Sequence, residues 1–187
     1  MVKYISAFIF LFSCSSDEIL IRNNPISLTV TPVINYSAME KIDHSLSKKL
    51  IQDLTFTGQY TITEVEHQSE AFNALTGMSG KYYLKGELNK AEFGLSSAYQ
   101  IPLIIYFPSH YCSLDYSLSI YDVRTKKVVF LKTFKLKSRR FISVRFFGYN
   151  EHDPDLILSS RLKNDVMLNA INELSEEVVE YIIGTLK

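Results

Sequence analysis

The run Cys112-Ser113-Leu114-Asp115-Tyr116-Ser117-Leu118-Ser119-Ile120-Tyr121 constrains this chain most, because apolar and polar side chains alternate along it without a break. A period of two is the mark of a β-strand with one face buried and the other facing water. Asp122-Val123-Arg124-Thr125-Lys126 then supplies turn chemistry, and Lys127 to Lys137 returns with Phe134 and Leu136 on one side and Lys135 and Lys137 on the other. An antiparallel hairpin is predicted.

A face of that kind needs a covering layer, and two segments have helical period. Leu158, Leu162, Val166, Ala170, Leu174, Val178, Ile182 and Leu186 keep one apolar face at steps of four, widened by Met167, Ile171, Tyr181 and Ile183. Asp153-Pro154-Asp155 supplies a start, with a carboxylate N-cap and proline at the first helical position. Earlier, Met39, Ile42, Leu46, Leu50, Ile51 and Leu54 form a second stripe. The capping-box pattern Ser37-Ala38-Met39-Glu40 predicts its start, and Gly58 its end.

Strand patterns surround that first helix. Ile26 to Tyr36 alternates, and Pro32 within it implies a sheet edge or a bulge, since proline cannot donate to a ladder. Tyr60 to Val65 and Tyr82 to Phe93 read as further strands, with a short helix over His67 to Thr76 between them. The expected fold class is α+β, a mostly antiparallel sheet of about five strands with two or three helices packed on one face and a long C-terminal helix.

The chain begins differently. Lys3 precedes the apolar run Tyr4 to Phe12, which ends at Ser13-Cys14 and turns polar at once. The run is shorter than the roughly 20 residues a transmembrane helix needs, and it suits the apolar core of a secretory signal. Leu11-Phe12-Ser13-Cys14 resembles the lipobox of bacterial lipoproteins, with Phe12 bulkier than that pattern usually carries. The resemblance implies removal of residues 1–13, lipidation of Cys14, a polar tether over 14–24 and one domain over 25–187. Ser15 directly after Cys14 resembles the pattern of lipoproteins sent to the outer membrane, so the expected location is the bacterial envelope, lipid-anchored and facing the periplasm. With Cys14 lipidated, Cys112 stands alone, and stability must come from packing rather than a disulfide framework.

At 187 residues, with 47% hydrophobic and 21% charged, the chain can bury a sizeable core. A formal net charge of zero argues against a dedicated nucleic-acid binder. No glycine-rich phosphate loop, HExxH, paired-cysteine spacing or nucleophile elbow occurs. His152-Asp153-Pro154-Asp155 and the pair His110 and Cys112 are explained by capping and by strand packing, so neither is assigned a metal or catalytic role. The expectation is a protein that is not an enzyme and takes no cofactor and no metal.

Asn35-Tyr36 at the end of the first strand, Leu46, Leu50 and Leu54, Gly58-Gln59-Tyr60, Tyr82 to Leu88, the hairpin at Tyr121-Asp122-Val123, and Ala170-Ile171 resemble the fold shared by the TolB amino-terminal domain and the curli-secretion and penicillin-binding-protein-activator lipoproteins. The lipopolysaccharide-assembly lipoproteins show a similar order of elements. The resemblance implies a non-catalytic module that docks on another envelope protein or on itself.

Two segments exceed what a plain core asks for. Gly94 to Tyr111 is too apolar for a solvated loop, with Ile104, Ile105, Tyr106 and Phe107 at its centre, and implies an added strand, a flap or a contact surface. Arg124 to Tyr149 holds no Asp or Glu. Its cations Lys132, Lys135, Lys137, Arg139, Arg140 and Arg145 are the candidate anion- or partner-binding set, with Phe146, Phe147 and Tyr149 as a second apolar loop. A solvated edge protected by charge explains the same cations; the candidate partners are another envelope protein, a second copy, or an anionic lipid such as lipopolysaccharide. Cys14→Ala is expected to abolish labelling by a palmitate analogue, and undiminished labelling would remove the anchor.

Overall fold

The computed structural model describes residues 24–65, 80–101, 105–142, 144–146 and 159–186, with the backbone alone at 97–101, 105–106 and 145–146. Seven strands and two helices occur among them, in the order β1 (Ile26–Val30), β2 (Ile34–Asn35), α1 (Ile42–Phe56), β3 (Tyr60–Glu64), β4 (Tyr82–Ile101), β5 (Ile105–Asp122), β6 (Lys127–Phe141), β7 (Arg145–Phe146) and α2 (Ser160–Thr185). The sheet runs β3-β1-β4-β5-β6, with β2 beside β4 and β7 beside β5.

The sheet is mixed, not mostly antiparallel as the sequence suggests: β1 lies parallel to both β3 and β4, and β2 parallel to β4, while β4, β5 and β6 form an antiparallel meander. The parallel half arises because α1 carries the chain from β1 across one face and back to β3, and a crossover through a helix returns a strand in its original direction. Both described helices pack on the same face. The expected short helix at His67 to Thr76 lies outside the described residues.

Pro32 breaks the first strand in two. β1 pairs with β4 as far as Val30 opposite Leu84, and pairing resumes at Ile34 opposite Glu87. In the gap, Thr31 sends both its backbone N–H (3.3 Å) and its hydroxyl (3.2 Å) to the Leu84 carbonyl. β1 is nonetheless an interior strand, so the interruption is a local break rather than a sheet edge.

Both helices start later than their sequence signals. The Ser37 hydroxyl donates to Asn35 Oδ1 (2.6 Å) and accepts from the Met39 N–H (3.3 Å), while Asn35 Nδ2 donates to the Met39 carbonyl (2.7 Å). That local network competes with helix entry at Ser37, and α1 begins only after Lys41, which takes a left-handed φ of 65°. Its end at Thr57 and Gly58, where φ is 64°, matches expectation. In α2 the N-cap is Ser159, whose Oγ accepts from the Leu162 N–H (3.3 Å). Asp153-Pro154 therefore does not begin the described helix, and these residues lie outside the described ones.

The core sits between the two layers. Cys112, Leu114, Tyr116, Leu118 and Ile120 of β5 are all buried, as are Phe134 and Leu136 of β6. Against them lie Leu46, Leu50 and Leu54 of α1 and Val166, Ala170, Leu174, Val178 and Ile182 of α2. Phe134 stands 6.2 Å from Tyr116 and meets Tyr181 edge-on at 5.8 Å between centroids. Burying each such side chain contributes about 1.5–3 kcal/mol. Where the helices touch, Ser175, fully buried, donates to Asp53 Oδ2 (2.6 Å) while Lys49 holds Oδ1 (2.8 Å), so the polar atoms at that junction are partnered.

Gly86 marks a close approach. A Cβ there would overlap the Tyr116 ring, 2.9 Å from its Cζ and nearer still to its hydroxyl oxygen. Gly86→Ala is expected to destabilise by about 1–3 kcal/mol in denaturant titration. Tyr116→Phe in the same chain should recover part of that loss through coupling of the two sites; strictly additive costs would show that the ring does not fill the glycine's space.

Candidate contact surface

β5 sets which side chains face away from the helices. In register with it, Tyr83 stands opposite Tyr121, Lys85 opposite Ser119, Glu87 opposite Ser117, and Glu92 opposite Ser113 on β4. On β6, Thr133 stands opposite Ser117, Lys135 opposite Asp115, Lys137 opposite Ser113 and Arg139 opposite Tyr111. This open face is polar and largely self-satisfied. Lys85 pairs with Glu87 (2.7 Å), Lys90 with Glu92 (2.8 Å), and Asn89, at a bulge, donates to Ser117 (2.9 Å), which lies 3.2 Å from Thr133. The hydrogen bond that Lys85 donates to the Glu87 carboxylate holds its ammonium above the ordinary pKa. Such exposed pairs contribute little stability each, about 0–1 kcal/mol, but leave the face wet.

The candidate cations divide between the two faces of β6. Lys135, Lys137 and Arg139 point to the open face, Lys135 toward Asp115 (3.8 Å) and Lys137 over the Tyr111 ring (3.8 Å). Lys132 and Arg140 emerge on the helix side. Lys132 lies over the rings of Tyr181 (4.3 Å) and Phe134 (4.7 Å), and Arg140 donates to Asp165 of α2 at 2.7 Å. Lys135, Lys137 and Arg139 thus share one face of β6, while Lys132 and Arg140 lie on the other. Arg145 lies in β7, opposite Tyr106.

The apolar segment Gly94 to Tyr111 is mostly strand. It extends β4 to Ile101 and starts β5 at Ile105, so of the readings open to it the segment takes that of strand, as a lengthening of two paired strands rather than a separate one. Phe107 is half-buried, its ring 6.1 Å from that of Phe141, and Ile105 and Tyr106 pair in register with Phe146 and Arg145. Ile104, Phe147, Tyr149, Cys14 and the group His152, Asp153 and Asp155 lie outside the described residues. His110 is buried on the core face, and burial pushes the Cys112 thiol up to about 11, which disfavours the thiolate.

Sequence reasoning missed one feature. Val128, Val129, Phe130 and Leu131 are all exposed at the start of β6, Leu131 by 68%. The signal was present: four apolar residues in succession on a strand with one buried face must turn some of them outward. The turn before them is firm, since Asp122 accepts from the Thr125 N–H (2.7 Å), a bond that holds its carboxyl below the ordinary range. β6 is also the sheet's last strand, with β5 on one side and no described strand on the other.

A groove of about 340 Å³ between α1 and the β1–β3 side is lined by Asp43, His44, Lys48 and Glu64 among others. Among the described residues no three His, Cys, Asp or Glu side chains gather in a way that could hold a metal ion.

Single replacements Lys135→Ala, Lys137→Ala and Arg139→Ala are each expected to change stability by no more than about 0.5 kcal/mol in thermal or denaturant unfolding, because these side chains lie outside the core. A loss above about 2 kcal/mol would mean that they hold the sheet together rather than face a partner.

No protein-family model matches the chain, and no curated protein is significantly similar to it in sequence. The fold is shared with solved bacterial proteins. The chain is similar to a neuraminyllactose-binding hemagglutinin homolog from Helicobacter pylori, with TM-score 0.61 at 10% identity over 84% of this chain and 85% of that one. It is also similar to a Xanthomonas campestris protein of the DUF330 family, with TM-score 0.52 at 10% identity over 87% of this chain and 86% of that one. A looser likeness, TM-score 0.44 at 13% identity over 86% of this chain and 100% of that one, is to a lipoprotein from Neisseria meningitidis.

Proposed function

We propose that this protein is a lipid-anchored module of a bacterial envelope that acts by binding, not by catalysis, and presents the β6 side of its sheet to another envelope protein. One observation carries the reading: polar groups in the middle of the open face pair with one another, yet β6 is left with exposed apolar side chains and a row of cations. A surface unfinished in one place favours a partner there. The segment Met1 to Cys14 supports the location, since its apolar run and Ser13-Cys14 resemble a lipoprotein signal. Acylation at Cys14, on the outer membrane and facing the periplasm, would raise the effective concentration of a weak contact.

Photocrosslinkers placed at Lys135 and Lys137 in the envelope are expected to capture a protein partner, and crosslinkers on the solvent side of α2 at Leu168 are expected to capture far less. The competing reading, a carrier of anionic glycolipid, predicts instead that the soluble fragment from Ser15 binds lipopolysaccharide in a salt-sensitive way. It further predicts that replacing Lys135, Lys137 and Arg139 abolishes this binding. Glycolipid binding without protein crosslinks would decide for the carrier.

A further inference from the structure

We propose that the outer edge of β6 receives an extended, acidic segment of a partner protein as an added strand. The proposal rests on the binding-module reading above and specifies how the partner is held.

An edge strand turns alternate backbone N–H and C=O groups to solvent, and a chain laid beside it can pair with all of them. Natural edges are usually short or broken by bulges. β6 runs from Lys127 to Phe141, and its only register shift lies near its start, opposite Ile120 and Tyr121. Its first turn-proximal residues offer apolar contact, with Val128 and Leu131 exposed by 50% and 68%.

Charge selects the occupant. The cations of β6 emerge on both sides of the sheet: Lys132 and Arg140 beside α2, Lys135, Lys137 and Arg139 on the open face. A flat anionic membrane can approach only one of those sides. A strand lying alongside β6 carries side chains to both, so acidic residues along it reach Lys135, Lys137 and Arg139 on one side and Lys132 on the other, where Arg140 is already held by Asp165. A second copy is disfavoured at this edge, because β6 beside β6 sets lysine and arginine against lysine and arginine with no Asp or Glu anywhere from Arg124 to Tyr149. Lysine on the edge therefore acts as a filter: it repels this chain's own strand and admits an acidic one.

The test uses the full mature protein and, as probe, a short peptide alternating valine and glutamate, with its valine–lysine counterpart as control. The acidic peptide is expected to bind, to weaken more than tenfold from low to high salt, and to slow hydrogen exchange of β6 amides while leaving β3 amides unchanged. The lysine peptide is expected not to bind. Leu131→Ser, which removes the apolar contact without adding charge, should weaken the acidic peptide several-fold without changing the thermal midpoint, and the double variant K135E/K137E should exchange the preference toward the lysine peptide. The proposal is overturned if the acidic peptide fails to bind, if it binds without protecting β6 amides, or if both peptides bind equally. It is also overturned if β6 amides are already protected in the free protein and the protein sediments as a dimer. Envelope crosslinks at Lys135 combined with unprotected β6 amides would retain the binding module and remove the added strand.

Discussion

Only one face of this sheet is covered by the described helices, and that asymmetry governs the rest of the molecule. β5 enforces it. Flanked by β4 and β6, it turns Cys112, Leu114, Tyr116, Leu118 and Ile120 to the helices and Ser113, Asp115, Ser117, Ser119 and Tyr121 away from them. A slip of one residue against either neighbour would exchange these two sets, drowning serine and aspartate in the core and stranding five apolar side chains in water. The cost of that exchange fixes the register of β4 and β6 as well. Tyr116 then fits because Gly86 offers no side chain where the ring lies.

The two ends of the sheet are finished differently. At one end β3 is five residues long and α1 lies against it. At the other, β6 is three times that length, 15 residues, and Val128, Val129, Phe130 and Leu131 near its start are exposed. Polar groups on the open face are paired locally, through Lys85 with Glu87, Lys90 with Glu92 and Asn89 with Ser117. The middle of the open face therefore has little to gain from a partner, whereas the β6 margin has backbone groups, apolar area and charge to offer.

What could be read from sequence was the local part. The alternation at Cys112 to Ile120, the stripe Leu46, Leu50, Leu54, and the stripe Val166 to Ile182 each reached the core as their periods require, because burial of one face imposes its period directly on the residues. The direction of β1 relative to β3 and β4 was not legible, since parallel pairing joins segments dozens of residues apart and leaves no local mark. Ser37 misled because a capping-box pattern and an Asn35–Ser37–Met39 hydrogen-bonded turn draw on the same side chains. Gly94 to Tyr111 was apolar because it lengthens the hairpin, and its length exceeds what a strand of typical size would suggest. The stripe of Lys135, Lys137 and Arg139 followed from period two, but the edge position of β6, which gives those cations their meaning, is a property of the whole sheet.

Pro32 and the placement of β1 have a mechanical consequence. β1 is an interior strand, bonded on one side to β3 and on the other to β4, parallel to both. A pull on the chain ahead of Ile26 along the strand axis would load both ladders in shear, so that they must yield together rather than peel one bond at a time. The break at Pro32 limits that loaded unit to Ile26–Val30, so β2 and α1 behind it are shielded until the first five residues give way.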